Sequence, residues 1–327
     1  MKKRILAVLI ATALAVSVTG CVGNATSSSD STSASSVAES SDTSTQTSAD
    51  ASSEDESKDE SSQEESKDLE ANYTKYTLDG DLTQHMIDMS RLNEGNKVRL
   101  ANVIKKLKNG EEVTVGFIGG SITQGTSAGN DLCYAKLTAD WLQQTYSNAK
   151  INYVNAGIGA TGSYIGVHRV ENDLLSKKPD LVFVEFSVND TTENTERNKK
   201  SYDGLLRTIW KSSTNPAIIT IATTQEDGTS FQDQHAEIVK HYDLPMISYR
   251  NTILDTIKHG DIVWKDISDD NIHPNVPGHK IVSQLLQAYI SDVDKDVDNI
   301  SGSESDFTTP ATDAPIENGS LKVGGQA

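Results

Sequence analysis

The sequence predicts an α/β protein, a five-stranded parallel sheet in the doubly wound, flavodoxin-like order 2-1-3-4-5, with helices on both faces in three α/β/α layers. Two observations predict it. Five short segments, Val113 to Ile118, Ile151 to Asn155, Leu181 to Ser187, Ala217 to Ala222 and Pro245 to Tyr249, are largely apolar and rich in β-branched and aromatic residues. Such runs suit strands buried on both faces. The segments between them repeat apolar residues at helical spacing, and strands alternating with helices imply a parallel sheet.

The elements follow in order. Met89 to Lys108 has helical spacing and stops at Asn109-Gly110, a helix-ending signal. After the first strand, Asp131 to Gln144 reads as a helix carrying Trp141. Tyr164 to Leu175 reads as a helix after the second strand, and Pro179-Asp180 breaks the chain before the third. Lys199 to Lys211 places Leu205, Leu206, Ile209 and Trp210 on one side of a helix. Phe231 to His241 is a helix before the fifth strand, and Val276 to Ile290 closes the domain.

Of the 327 residues, those from 71 to 300 form the predicted domain, an ordinary size for one α/β core. Residues 22–70 are a predicted linker; from residue 24 on, 13 acidic residues face two basic ones, with almost no large apolar side chains. Such a segment buries too little apolar surface to offset the entropy of ordering it. Residues 301–327 have a similar composition, and disorder is expected there too. The net charge of −18 resides largely in these flanks, and nothing basic suggests a nucleic-acid partner. A monomer is expected.

Residues 1–21 read as a targeting segment: Lys2-Lys3-Arg4, then an apolar stretch from Ile5 to Val18. Val18-Thr19-Gly20-Cys21 resembles a lipobox, which implies a lipid on Cys21 and a protein held on the outer side of a bacterial membrane, or secreted if the box is unused. Cys133, the other cysteine, then has no disulfide partner in the chain and reads as a buried small apolar residue.

Ligands of doubly wound sheets bind beyond the carboxyl ends of the strands. Ser121 follows strand one in Gly119-Gly120-Ser121-Ile122-Thr123, a glycine-rich loop from Gly157 to Gly162 follows strand two, and Asn189-Asp190 follows strand three. These groups share one rim. Downstream, Asp270 precedes His273 by three residues, close enough for a turn to bring carboxylate to imidazole. A serine hydroxyl needs a base to take its proton, and an Asp on the far nitrogen orients that base. The set therefore fits acyl transfer with Ser121 as nucleophile, His273 as base and Asp270 as its orienting partner. An oxyanion needs preorganised donors; the N–H of Ser121, an N–H of the glycine-rich loop and the Asn189 side-chain amide are the candidates.

Other chemistries fit less well. No phosphate-binding Gly-x-x-x-x-Gly-Lys run, His-Glu-x-x-His or paired-cysteine pattern occurs, so no cofactor or metal is expected. The G-x-G-x-x-G of the loop follows the second strand, where a dinucleotide fingerprint opens at the first. Thr123 stands where a Gly-x-Ser-x-Gly elbow ends in glycine. His85, His168, His235, His241, His259 and His279 show no comparable partner pattern and read as surface or helix residues. Glu185, inside an apolar strand, has no evident partner.

The chain resembles the SGNH (GDSL-type) hydrolases, a family defined by Ser, Gly, Asn and His in separate blocks. Gly119 to Thr123 is similar to block one, Asn155 to Gly162 to block two, Ser187-Val188-Asn189-Asp190 to block three and Asp270-Asn271-Ile272-His273 to the last, over about residues 90 to 292. The resemblance implies the family's three-layer fold, no metal, and ester hydrolysis through an acyl-enzyme, with Gly159, or Ala160 in its place, as the second oxyanion donor. Gly120 replaces the block-one Asp, and Ser187 replaces the block-three Gly, which would narrow the floor of the site. A linker of nearly fifty residues suits a polymeric extracellular substrate, so an acylated carbohydrate, with acetyl as the acyl group, is the expected partner, or a small ester. Trp264 is placed either to stack on a sugar or to fill the core. An acyltransferase or lipolytic esterase of the same fold, and a non-catalytic glycan-binding lipoprotein, remain alternatives.

Overall fold

The structure, a computed structural model, describes residues 73–78, 80–192 and 194–317. The expected leader with Cys21 and the linker to residue 70 lie outside them.

The chain enters through α1 (Gln84–Ser90), capped by Thr83, whose hydroxyl accepts from the Met86 N–H. A short strand, β1 (Arg91–Asn93), and α2 (Val98–Lys108) follow. This divides the single helix expected over 89–108. The reason is Gly95, at φ +61, where a Cβ would lie 2.3 Å from the backbone of Leu244 and Pro245. Backbone here must pass against backbone, and only glycine permits it. Strands β2 (Glu112–Gly119), β3 (Lys150–Gly157), β4 (Leu181–Glu185), β5 (Ala217–Ala222) and β6 (Met246–Ser248) form the parallel body.

Their order is β1-β6-β5-β4-β2-β3. The five parallel strands have the expected order; the sixth, β1, adds antiparallel to the edge at β6. Three residues are too few to show a period, so β1 carried no signal in the sequence. Side chains alternate across the sheet. Leu181 and Phe183 enter one apolar core, Val182 and Val184 the other. Helices α4 (Tyr134–Thr145) and α10 (Val276–Lys295) cover the first core; α5 (Ser163–Asp173), α6 (Thr195–Trp210) and α7 (Gln232–His241) cover the second. The one-turn α3 (Ser121–Gln124) follows β2, and α8 (Tyr249–Lys258) and α9 (Trp264–Ile267) precede the Asp-His loop. Among the described residues no helix is long and apolar enough to cross a membrane.

The tail departs from expectation over its described part. Phe307 is buried, its ring stacked 3.9 Å from that of Tyr242 and 4.5 Å from that of Trp210. Asp203 accepts from Thr312 N–H at 2.7 Å, the Ile316 N–H donates to Lys200 O at 3.0 Å, and Glu317 pairs with Arg207. A few anchors among polar residues hold this stretch, and a composition average conceals them.

Candidate functional site

Ser121 stands at the carboxyl end of β2, the first residue of α3. A Cβ on Gly120, the residue before it, would fall 2.0 Å from Asn189 Oδ1. A block-one carboxylate here would require the Asn189 side chain to move. Among the described residues the Ser121 N–H meets no acceptor.

The loop between α9 and α10 brings in the imidazole. His273 Nε2 lies 2.9 Å from Ser121 Oγ, and His273 Nδ1 lies 2.7 Å from Asp270 Oδ2. Asp270 Oδ1 also accepts from the N–H groups of His273 (2.6 Å) and Ile272 (2.7 Å). Partial burial pushes the Asp270 carboxyl upward, yet the two N–H donors and the imidazole outweigh it and hold the group below the usual carboxylate range. An ionised Asp270 makes Nδ1 the protonated nitrogen, and Nε2 is left to accept from the serine. Ser268 ties the loop together: its hydroxyl contacts the carbonyls of Asp270 (2.8 Å) and His273 (2.6 Å). Trp264 is buried and donates its indole N–H to Asp270 O at 2.6 Å. It is a support of the loop and does not offer its face to a sugar. Asn275 caps α10, accepting from Gly278 N–H at 3.2 Å, which leaves Asp270 to the imidazole.

The oxyanion candidates come close to the serine from two other loops. A Cβ on Gly159 would lie 3.9 Å from that of Ser121. The Gly159 N–H donates to Gln124 Oε1 at 2.9 Å. Ala160 follows with φ +57. Asn189 begins a turn of 3₁₀ helix after β4, its amide beside Gly120.

Sequence reasoning missed what holds these loops. Asp190 is buried; its Oδ1 accepts from Ser163 N–H at 2.8 Å and its Oδ2 meets His235 Nε2 at 2.9 Å. One carboxylate thus joins the end of the glycine-rich loop to the asparagine loop, at the N-terminus of α5 where negative charge is favoured. His235, read as a surface or helix residue, lies within α7, fully buried and stacked on Tyr202 at 3.5 Å. Among the described residues its Nδ1 has no hydrogen-bond partner, and with the proton on Nε2 the ring leaves no orphan donor. His85 and His279 are likewise buried. Burial drives the His279 imidazole down to about 4, and its Nδ1 accepts from Tyr134 N–H at 3.1 Å. Arg169 braces the strand ends, donating to Gly119 O at 2.9 Å and to Ala156 O at 2.5 Å.

Glu185, unpartnered in the sequence reading, is fully buried among hydroxyls. Thr223 donates to it at 2.7 Å and Thr123 at 3.4 Å, and burial raises its carboxyl to about 7. Ser187 does not narrow the site floor: its hydroxyl points to β5 and accepts from Thr223 N–H at 2.7 Å. Cys133 is buried and free.

A doubly wound sheet with a bonded hydroxyl, imidazole and carboxylate on its carboxyl rim has the arrangement of a serine hydrolase. The chain belongs to the GDSL-like lipase/acylhydrolase family, whose model matches residues 117–281. It is 38% identical to a two-domain esterase active on acetylated mannans, with a TM-score of 0.64 over 69% of this chain and 60% of that one in the structure with mannopentaose. The same esterase without that sugar in its description gives 38% and 0.66 over 69% and 61%. An acetylxylan esterase from Geobacillus stearothermophilus aligns at 20% identity and a TM-score of 0.46, over 54% of this chain and 94% of that one. This chain spans about 60% of the length of the two-domain esterase. No curated protein matches it.

Proposed function

We propose that the protein is a carboxylic ester hydrolase that removes short acyl groups, acetyl above all, from extracellular polysaccharide through an acyl-enzyme. The contact of 2.9 Å between Ser121 Oγ and His273 Nε2 carries the reading. The likeness to an esterase active on acetylated mannans supports the substrate class. In this mechanism Ser121 Oγ gives its proton to His273 Nε2 and attacks the ester carbonyl carbon. The oxyanion is held by the Ser121 N–H, the Gly159 N–H and the Asn189 amide, with Asp270 fixing the imidazolium. His273 then protonates the leaving sugar oxygen, and Ser121 keeps the acyl group. Water, deprotonated by His273, attacks in turn; acetate leaves and the proton returns to Ser121. The apolar leader and Cys21 support tethering outside the membrane by lipid.

Ser121→Ala decides the assignment. It is expected to lower hydrolysis of p-nitrophenyl acetate by at least about a thousandfold while the melting temperature is preserved. Full activity in the folded variant overturns the nucleophile. Acetate release from acetylated mannan and xylan tests the substrate class, and metabolic labelling with palmitate, lost in Cys21→Ala, tests the tether.

A further inference from the structure

A hollow of about 320 Å³ lies between α4 and α10, away from the serine, with Trp141 and Gln144 on one helix and Lys280, Gln284 and Gln287 on the other. Hydroxyls tie the helices together beneath it: Thr138 Oγ1 lies 2.9 Å from Ser283 Oγ, to which Gln287 Nε2 donates at 2.9 Å. Helix α10 begins at Val276, three residues after His273. Lys280 to Gln287 therefore stand about 6 to 17 Å along the helix from the rim.

The groups around this space are not used up by the chain. Trp141 packs against the first core yet stays partly exposed, and among the described residues no other ring and no cation lies over it. Its indole N–H and the side-chain amides of Gln144 and Gln284 make no hydrogen bond there. Gln284 Oε1 is shielded by the chain without a donor, so turning that amide into the hollow breaks no bond. Asp140 and Lys280 line the space with opposite charges, which selects for neither an anion nor a cation. A hydrocarbon would cover Leu137 and the indole but strip water from the amides and the ammonium without return. A sugar meets both demands: its C–H face lies on the indole, and its hydroxyls serve the indole N–H and the amides. We propose that this hollow is a second carbohydrate-binding site, which takes an uncharged, unesterified stretch of the polysaccharide with Trp141 as platform and Gln144 and Gln284 as polar contacts. The proposal rests on the polysaccharide reading and adds a contact that keeps a long chain near Ser121 between turnovers.

Trp210 and Trp264 are buried, so titration with unacetylated mannohexaose should change the fluorescence of Trp141 and protect it from N-bromosuccinimide. Binding should weaken about tenfold in Trp141→Ala and in the double variant Gln144→Ala with Gln284→Ala. In both, kcat/KM on polymeric acetylated mannan should fall about three- to tenfold through KM, while kcat/KM on p-nitrophenyl acetate stays within about twofold. Circular dichroism melting checks folding, and the glutamine pair decides alone if Trp141→Ala does not fold. Unchanged mannohexaose binding in the folded variants overturns the site. So does an equal fall on the polymer and on p-nitrophenyl acetate, which would make these residues structural supports, and so does stronger protection of Trp141 by octanoate than by mannohexaose. If the parent hydrolyses no ester, the ester-hydrolase reading fails, and the titration still judges this site.

Discussion

The Gly159 N–H donates 2.9 Å to Gln124 Oε1, a side chain one turn beyond Ser121. The glycine nominated to receive the oxyanion thus already donates to a side chain of the protein itself. The bond is exposed, and exchanging it for a carbonyl oxygen of the substrate costs about 0.5–1.5 kcal/mol. Gln124→Ala removes the competitor. Its kcat/KM for p-nitrophenyl acetate is expected to rise about two- to tenfold. A fall would assign Gln124 the opposite role, holding the loop in its working shape.

Asp190 predicts a coupling between packing and turnover. Truncation to Ala leaves the Ser163 N–H and the His235 Nε2–H without acceptors in the core, a loss of about 1–3 kcal/mol for each. Asp190→Ala should melt at a clearly lower temperature and lose kcat more than tenfold, with KM little changed. Asp190→Asn keeps an acceptor for Ser163 and should recover much of both. Equal kcat in the Ala variant and the parent would show that the asparagine and glycine loops hold their geometry unaided.

Trp264 gives a milder test of the Asp-His loop. Trp264→Phe keeps a ring in the core and deletes the 2.6 Å bond to Asp270 O. Ser268 still contacts that carbonyl at 2.8 Å, so a loss of about 0.5–1.5 kcal/mol, or about two- to tenfold in kcat, is expected. Steady-state kinetics at saturating substrate checks it; an unaltered kcat would leave Ser268 as the sufficient staple.

Glu185 makes stability depend on pH. Its folded carboxyl titrates at about 7 because burial disfavours the charge, against about 4.3 in an unfolded chain. Between those values the folded state holds a proton that the unfolded state has lost, so stability falls as pH rises from about 4.5 to 7 and levels off above. The difference is on the order of 3 kcal/mol. Glu185→Gln removes the ionisation, and its melting temperature should exceed that of the parent most at pH 8 and least at pH 5. Parallel melting curves across that range would show that the surrounding hydroxyls stabilise the charge in full.

The five parallel strands, their order and the rim that carries Ser121 and Asn189 were legible in the chain. Buried parallel strands must be apolar throughout, and the alternation with helices leaves few ways to connect them. Asp270 and His273 were legible as a pair because three residues of turn suffice to join them. Family membership, likewise, follows from short blocks that the chain carries in sequence. What the chain did not disclose were contacts between residues far apart in it. Asp190 reaches His235 over 45 positions, Glu185 reaches Thr223 over 38, and Phe307 packs on Trp210. No local period encodes such pairs. Whether a polar side chain is solvated or held in the core depends on what the other layers bring to it, and only the folded arrangement of the sheet decides that.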